Sequence, residues 1–156
     1  ALLQSVALAI GAARKITDLF AGVGTFALPL AERAEVHAVE GEAAMTAALT
    51  KGANMTEGLK RVTVETRDLF RRPLEPDEFK GVEAVVIDPP RAGAEAQMAV
   101  LAQTKVPLIA SVSCNPVTFA RDAKVLIAGG YSLDWVQVVD QFRWSSHVEL
   151  VARFSR

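Results

Sequence analysis

The sequence predicts an α/β fold: a mostly parallel, doubly wound sheet that closes with a C-terminal antiparallel hairpin. Three observations predict it. Short apolar runs alternate with segments of helical spacing, as βα units require. A glycine-rich turn joins the first strand to the helix after it. The last two runs, residues 131–140 and 148–154, alternate at period two across a short turn region, so they read as a hairpin with one reversed strand. The chain has 156 residues, 51% hydrophobic and 22% charged, which suits a single domain with its own core.

The elements follow in order. Leu3, Val6, Ala7 and Ile10 share one face of an opening helix. Residues 15–20 form a strand, followed by the Gly22–Gly24 turn and a helix over 26–33. A strand over 35–40 precedes a helix over 42–55, and Val62–Thr66 alternates as a strand. Residues 71–81 are charged and carry two prolines, so they form a loop with room for a short helical turn. Val82–Ile87 is a strand ending at Asp88-Pro-Pro, and a helix over 94–104 follows. The apolar run Val106–Val112 is a buried strand. Asn115-Pro116 starts the next helix, with Asn as cap and Pro in the first turn, and Gly129-Gly130 ends it.

Bulk properties exclude several classes. Net charge is −1, so no global basic field announces nucleic acid. One cysteine rules out an internal disulfide, and His37 and His147 offer no metal-ligand spacing, so no metal is expected. No apolar run approaches the ~18 residues of a membrane span. The chain opens at Ala1 without an initiator Met or a basic leader, and is expected to be the C-terminal fragment of a longer cytoplasmic protein.

The single cysteine, Cys114, sits where a strand hands over to a helix N-terminus. In an open α/β sheet that edge binds ligands, and the helix end favours a thiolate. A buried core thiol is the alternative. Asp18-Leu-Phe-Ala-Gly22-Val-Gly24-Thr-Phe-Ala matches G-x-G-x-x-A at a strand-to-helix turn. Glu40 ends the second strand, where an acid accepts hydrogen bonds from ribose hydroxyls. Asp68 ends the third, to read an adenine amino group or merely to cap Leu69-Phe70. The pattern fits a nicotinamide dinucleotide or S-adenosylmethionine. Asp18 beside the glycine turn would repel a pyrophosphate but pair with a methionine ammonium, so S-adenosylmethionine is preferred. Asp88 is held at the same edge by two prolines. Arg91 stands where amino-methylating nucleic-acid enzymes carry an aromatic residue; an arginine suits phosphate or a base carbonyl instead. Glu149 opens an apolar strand; partial desolvation there would raise its basicity, whereas an edge charge would simply face water.

Methylation at C5 of uracil needs these parts together. A thiolate adding at C6 makes C5 nucleophilic, and a base must then remove the C5 proton so that the thiolate can leave. Cys114, Glu149 and Asp88 supply nucleophile, base and ring-holding carboxylate. From Asp18 to Phe154 the chain resembles the RNA 5-methyluridine methyltransferases. The resemblance rests on Asp-Leu-Phe-Ala-Gly-Val-Gly-Thr-Phe, Val-Glu-Gly, Ile-Asp-Pro-Pro-Arg-Ala-Gly, Ser-Cys-Asn-Pro and His-Val-Glu, in that order and spacing. It implies a Rossmann-like class I methyltransferase sheet and S-adenosylmethionine as cofactor. Cys114 would be the nucleophile and Glu149 the proton acceptor. Asp18, Phe20, Gly22, Gly24, Thr25, Glu40 and Asp68 would surround the cofactor, and Asp88 would lie between cofactor and uracil.

The resemblance also implies an RNA partner, transfer or ribosomal, and an upstream RNA-binding part that these residues do not include; some members hold an iron–sulfur cluster there. Arg91, Asn115 and Arg143 are candidate RNA contacts, and Trp144 could stack on a splayed base. Three other readings stay open: a cofactor-binding scaffold without chemistry of its own, a different nucleic-acid methyltransferase, and a dinucleotide oxidoreductase, which would need NAD(P) binding.

Overall fold

The structure is a computed structural model and describes residues 1–140 and 148–156. Its elements are α1 (Leu2–Ile10), β1 (Lys15–Leu19), α2 (Ala27–Leu30), β2 (Glu35–Glu40), α3 (Ala43–Met55), β3 (Val62–Thr66), a 3-10 turn (Pro76–Phe79), β4 (Ala84–Ile87), α4 (Glu95–Leu101), β5 (Leu108–Ser113), α5 (Pro116–Ala128), β6 (Ser132–Asp140) and β7 (Val148–Ser155). The sheet has seven strands in the order β3-β2-β1-β4-β5-β7-β6. All pairs are parallel except those made by β7, which runs against both β5 and β6. The strand order reverses between β1 and β4, which opens a crevice at the C-terminal ends of the strands.

Strand periodicity divides the core into two layers. Ile16, Ala38, Val86, Val112 and Val151 face one side, against α1, α2 and α3. Leu19, Val39, Ile87, Ile109, Ala152 and Phe154 face the other, against α4 and α5. The central strand β4 is buried on both faces, which is why it reads as an unbroken apolar run. Phe154 is fully buried between Ile109 and Leu133 in the β-ladder. Phe154→Ala is expected to cost about 3–5 kcal/mol, read as a lower denaturant midpoint.

Some boundaries differ from the sequence reading, for local reasons. The helix expected over 26–33 is regular only at Ala27–Leu30, because Pro29 has no N–H for Thr25 and the chain tightens into i→i−3 bonds at Glu32 and Arg33. Strand β5 starts at Leu108, after Pro107, whose nitrogen cannot join a ladder. Phe20, read as the last strand residue, lies outside β1 with φ of 61°. No helix among the described residues is long and apolar enough to cross a membrane.

Candidate active site

The crevice at the switch point is a cleft of ≈ 540 Å³. Phe20 and Phe70 form one wall, their rings tilted at 53° with centroids 5.4 Å apart. Phe20 reaches it from a left-handed backbone conformation, unusual for an aromatic residue and common where function dictates geometry. Glu40, Glu42, Asp68 and Asp88 also line the cleft, and among the described residues no Lys or Arg does. Four acids without a cation disfavour a pyrophosphate and favour a ligand carrying positive charge.

Glu40 ties this wall together. One carboxylate oxygen accepts from the Gly22 N–H at 3.1 Å, the other from the Glu42 N–H at 2.8 Å. The glycine turn, the end of β2 and the start of α3 therefore share one anchor. A Cβ on Gly24, at φ of 97°, would come within 3.0 Å of Leu28 and 3.1 Å of Leu49, so the turn packs too closely for a side chain. Asp68 caps Phe70 and Arg71 through one oxygen, at 3.0 and 3.3 Å. It keeps the capping role and lines the cleft as well.

Asp18 does not reach the cleft wall. It is fully buried, and neither oxygen makes a complete hydrogen bond among the described residues. Burial pushes its carboxyl well above the usual carboxylate range, the negative charge of Asp88 adds to this, and the nearby Ala27 amide only tempers it. Gly22 and Gly24 shape the turn behind the wall, and Thr25 is exposed outside it.

Three side chains expected to react stand at strand ends: Asp88, Cys114 and Glu149. Asp88 follows β4, its N–H bonded to Leu19 O at 3.2 Å. Cys114 follows β5 directly and is partly exposed. Ser113 Oγ accepts from the Asn115 N–H at 3.1 Å and bonds Asn115 O at 3.0 Å, bracketing the thiol between two fixed residues. Asn115 Oδ1 accepts from the Val117 N–H at 3.0 Å, capping α5 as its position in the sequence foretold. Ser113 pairs with Leu150 in the β5–β7 ladder. Continuing that antiparallel register by one residue sets Cys114 opposite Glu149. By strand parity Asp18, Asp88, Cys114 and Glu149 all belong to the α1–α3 face. Glu149 is partly buried and close enough to Asp88 to act on it: desolvation first, and the Glu149 charge second, raise the Asp88 carboxyl from 3.8 to about 7.

Arg91 is exposed beside Asp88 and makes no ion pair among the described residues. Asn115 spends its amide on the protein itself, donating to Arg91 O at 3.2 Å. Arg143, Trp144 and His147 lie outside the described residues. The sequence reading missed Met45 and Phe70, which complete the apolar wall. An aromatic two residues after the strand-end acid Asp68 was the available signal.

Residues 4–155 match the tRNA (uracil-5-)-methyltransferase family. The chain belongs to that family. An RNA methyltransferase of Mesorhizobium japonicum is 59% identical over 90% of this chain and 34% of its own length. A 23S rRNA (uracil(1939)-C(5))-methyltransferase of Psychrobacter arcticus is 39% identical over 93% of this chain and 29% of its own. The crystal structure of the Pyrococcus abyssi tRNA (uracil-54, C5)-methyltransferase, in complex with S-adenosyl-L-homocysteine, superimposes with a TM-score of 0.84 at 31% identity. That match covers 98% of this chain and 37% of the other. This family member thus spans about a third of the length of the curated relatives it matches.

Proposed function

We propose that this chain is the catalytic domain of a cytoplasmic RNA uracil-C5 methyltransferase that works through a covalent bond between Cys114 and C6 of the target uridine. The placement of Cys114 and Glu149 one residue beyond the Ser113–Leu150 pair, on the same face of the sheet, carries the reading.

S-adenosylmethionine, when bound, supplies an electrophilic methyl group on a sulfonium. The acid-lined cleft with its aromatic wall fits such a cation: Glu40 offers acceptors for ribose hydroxyls, and Phe20, Met45, Leu69 and Phe70 offer an apolar face for adenine. The pyrophosphate of a dinucleotide would find no counter-charge there among the described residues. Gly22, Gly24 and Thr25 shape the glycine turn behind it, and Asp18 lies buried under the same edge.

The Cys114 thiolate adds to C6 and pushes the C5–C6 π electrons toward O4, giving an enolate. C5 then takes the methyl group. Glu149 removes the remaining C5 proton, the enolate re-forms, and the C6–S bond breaks to return the thiolate. Asp88, held on the same face, suits hydrogen bonding to the uracil edge; its raised pKa lets it donate a proton as well as accept one. Arg91 and Arg143 are suited to RNA phosphates, whose contact would weaken with salt.

The test is a trap. The intact protein, the cofactor and transcripts carrying 5-fluorouridine should give a denaturation-resistant protein–RNA adduct, because the fluorine at C5 cannot leave as a proton. Parallel tRNA and 23S rRNA transcripts identify the substrate class. Methylation at another atom, with no adduct on either RNA, overturns the reading.

A further inference from the structure

The loop after β4 is fastened to α5 more firmly than to the sheet. Residues 90–93 form a tight turn, with the Gly93 N–H bonded to Pro90 O at 2.8 Å. The carbonyl of Arg91 accepts from Asn115 Nδ2 at 3.2 Å and from the Thr118 hydroxyl at 3.0 Å. The carbonyl of Ala92 accepts from Arg121 Nη2 at 2.9 Å, and the Ala94 N–H donates to Asp122 Oδ2 at 2.8 Å. Positions 115, 118 and 122 lie on one helix face, with 121 flanking it.

This fastening is built for close fit. Asp122 is only 3% exposed and pairs with the half-exposed Arg121 at 3.0 Å, so its charge has a partner at the surface end of this fastening. Gly93 sits at φ of 78°, and a Cβ there would fall 2.6 Å from Arg121 Nη2 and 2.8 Å from Asp122 Oδ2. Only glycine lets the loop lie so close. Thr118, Arg121 and Asp122 do not line the cofactor cleft. They join the loop bearing Asp88 and Arg91 to the helix whose cap directly follows Cys114.

We propose that Asn115, Thr118, Arg121 and Asp122 form a clasp that sets the distance between Asp88 and Cys114, and that Thr118 and Asp122 are positioning residues for thiol addition to the ring. The proposal rests on the function given above. Asp88 would hold the uracil from β4 while Cys114 attacks from β5, so nucleophile and ring arrive on separate segments. A displacement of about 1 Å between such segments costs on the order of 100-fold in rate. The clasp spans this gap without touching either reactant.

The experiment compares Thr118→Val, Thr118→Ser and Thr118→Val/Asp122→Asn in the intact protein, with two readouts. The first is the rate of adduct formation on 5-fluorouridine transcripts, set against cofactor affinity. Thr118→Val should slow the adduct about tenfold and the double variant about 100-fold, with cofactor affinity within about twofold. Thr118→Ser, which keeps the hydroxyl, should restore the rate. The second readout is alkylation of Cys114 by iodoacetamide, followed by mass spectrometry of the peptide that carries it. Opening the clasp should speed it several-fold. If the double variant does not fold, Thr118→Val against Thr118→Ser decides by itself. Unchanged adduct and alkylation rates, or cofactor affinity falling in step with adduct formation, overturn the clasp. If the unmodified protein forms no adduct yet alkylation still responds to Thr118→Val, the clasp stands and the uracil chemistry falls.

Discussion

Cys114→Ser should abolish both the RNA adduct and methyl transfer, a fall on the order of 10³-fold or more. A serine hydroxyl at the same turn keeps the size and loses the nucleophile. Cofactor affinity should stay unchanged, because Cys114 does not line the cleft that would hold the adenosine. The partner variant separates the two halves of the reaction. Glu149→Gln leaves attack and methyl transfer possible but removes the proton acceptor, so adduct should accumulate on ordinary, unfluorinated RNA. Gel-shift under denaturing conditions distinguishes the two variants: no band for Cys114→Ser, a persistent band for Glu149→Gln. Wild-type turnover by Cys114→Ser would end the mechanism, and prompt product release by Glu149→Gln would remove Glu149 from it.

Asp88→Asn should make the protein more stable at pH 8 while impairing its chemistry. In the folded chain Asp88 keeps its proton up to about pH 7, whereas an unfolded aspartate loses it near 3.8. Between those values the folded state binds more protons than the unfolded one, so its stability falls as pH rises. Below that window there is no penalty, and above it the penalty is complete. The bound is about 4 kcal/mol, and the partial solvent access of Asp88 makes the real figure smaller. Asn removes the charge and relieves Asp18, whose carboxyl Asp88 also pushes up. Denaturant midpoints at pH 4 and pH 8 check this: the variant should match the parent at the lower pH and exceed it at the higher. An equal difference at both would mean that packing, not ionisation, sets the effect. A site that gains stability when its acid is neutralised is one shaped for function rather than for folding.

The parts of the fold set by local chemistry were legible in the sequence. Asn115-Pro116 marks a helix start because cap and first turn need nothing distant, and it appears as read. The alternation in residues 131–140 and 148–154 was enough to expect a reversed strand. Where β7 inserts was not legible: its place between β5 and β6 depends on which strands bury each other's faces. That insertion brings Cys114 and Glu149 to neighbouring strand ends, so the sequence suggested both residues without their proximity along the sheet. Phe20 was misread as strand because an apolar residue at a strand end carries no signal for the left-handed backbone it adopts beside the Phe70 ring. Asn115 looked like an RNA contact because a polar side chain at a sheet edge has two possible customers; its amide faces Arg91 O instead. Thr118 and Asp122 carried no signal at all, since spacing along a helix does not say which loop the helix touches.

The reversed direction of β7 also links folding accuracy to chemistry. Side chains alternate across a strand, so a slip of one residue would carry Glu149 to the α4–α5 face, away from the thiol. The same slip would turn Phe154 out of its layer and bring Arg153 in, which the core would resist. Val151, Ala152 and Phe154 thus act as a proofreading device for the proposed proton acceptor: the apolar pattern that seats the strand also keeps Glu149 on the face to which Cys114 belongs. Variants that loosen this pattern without unfolding the chain should therefore yield a mixed population, with a fully competent fraction and a misaligned one, rather than a uniformly slower enzyme.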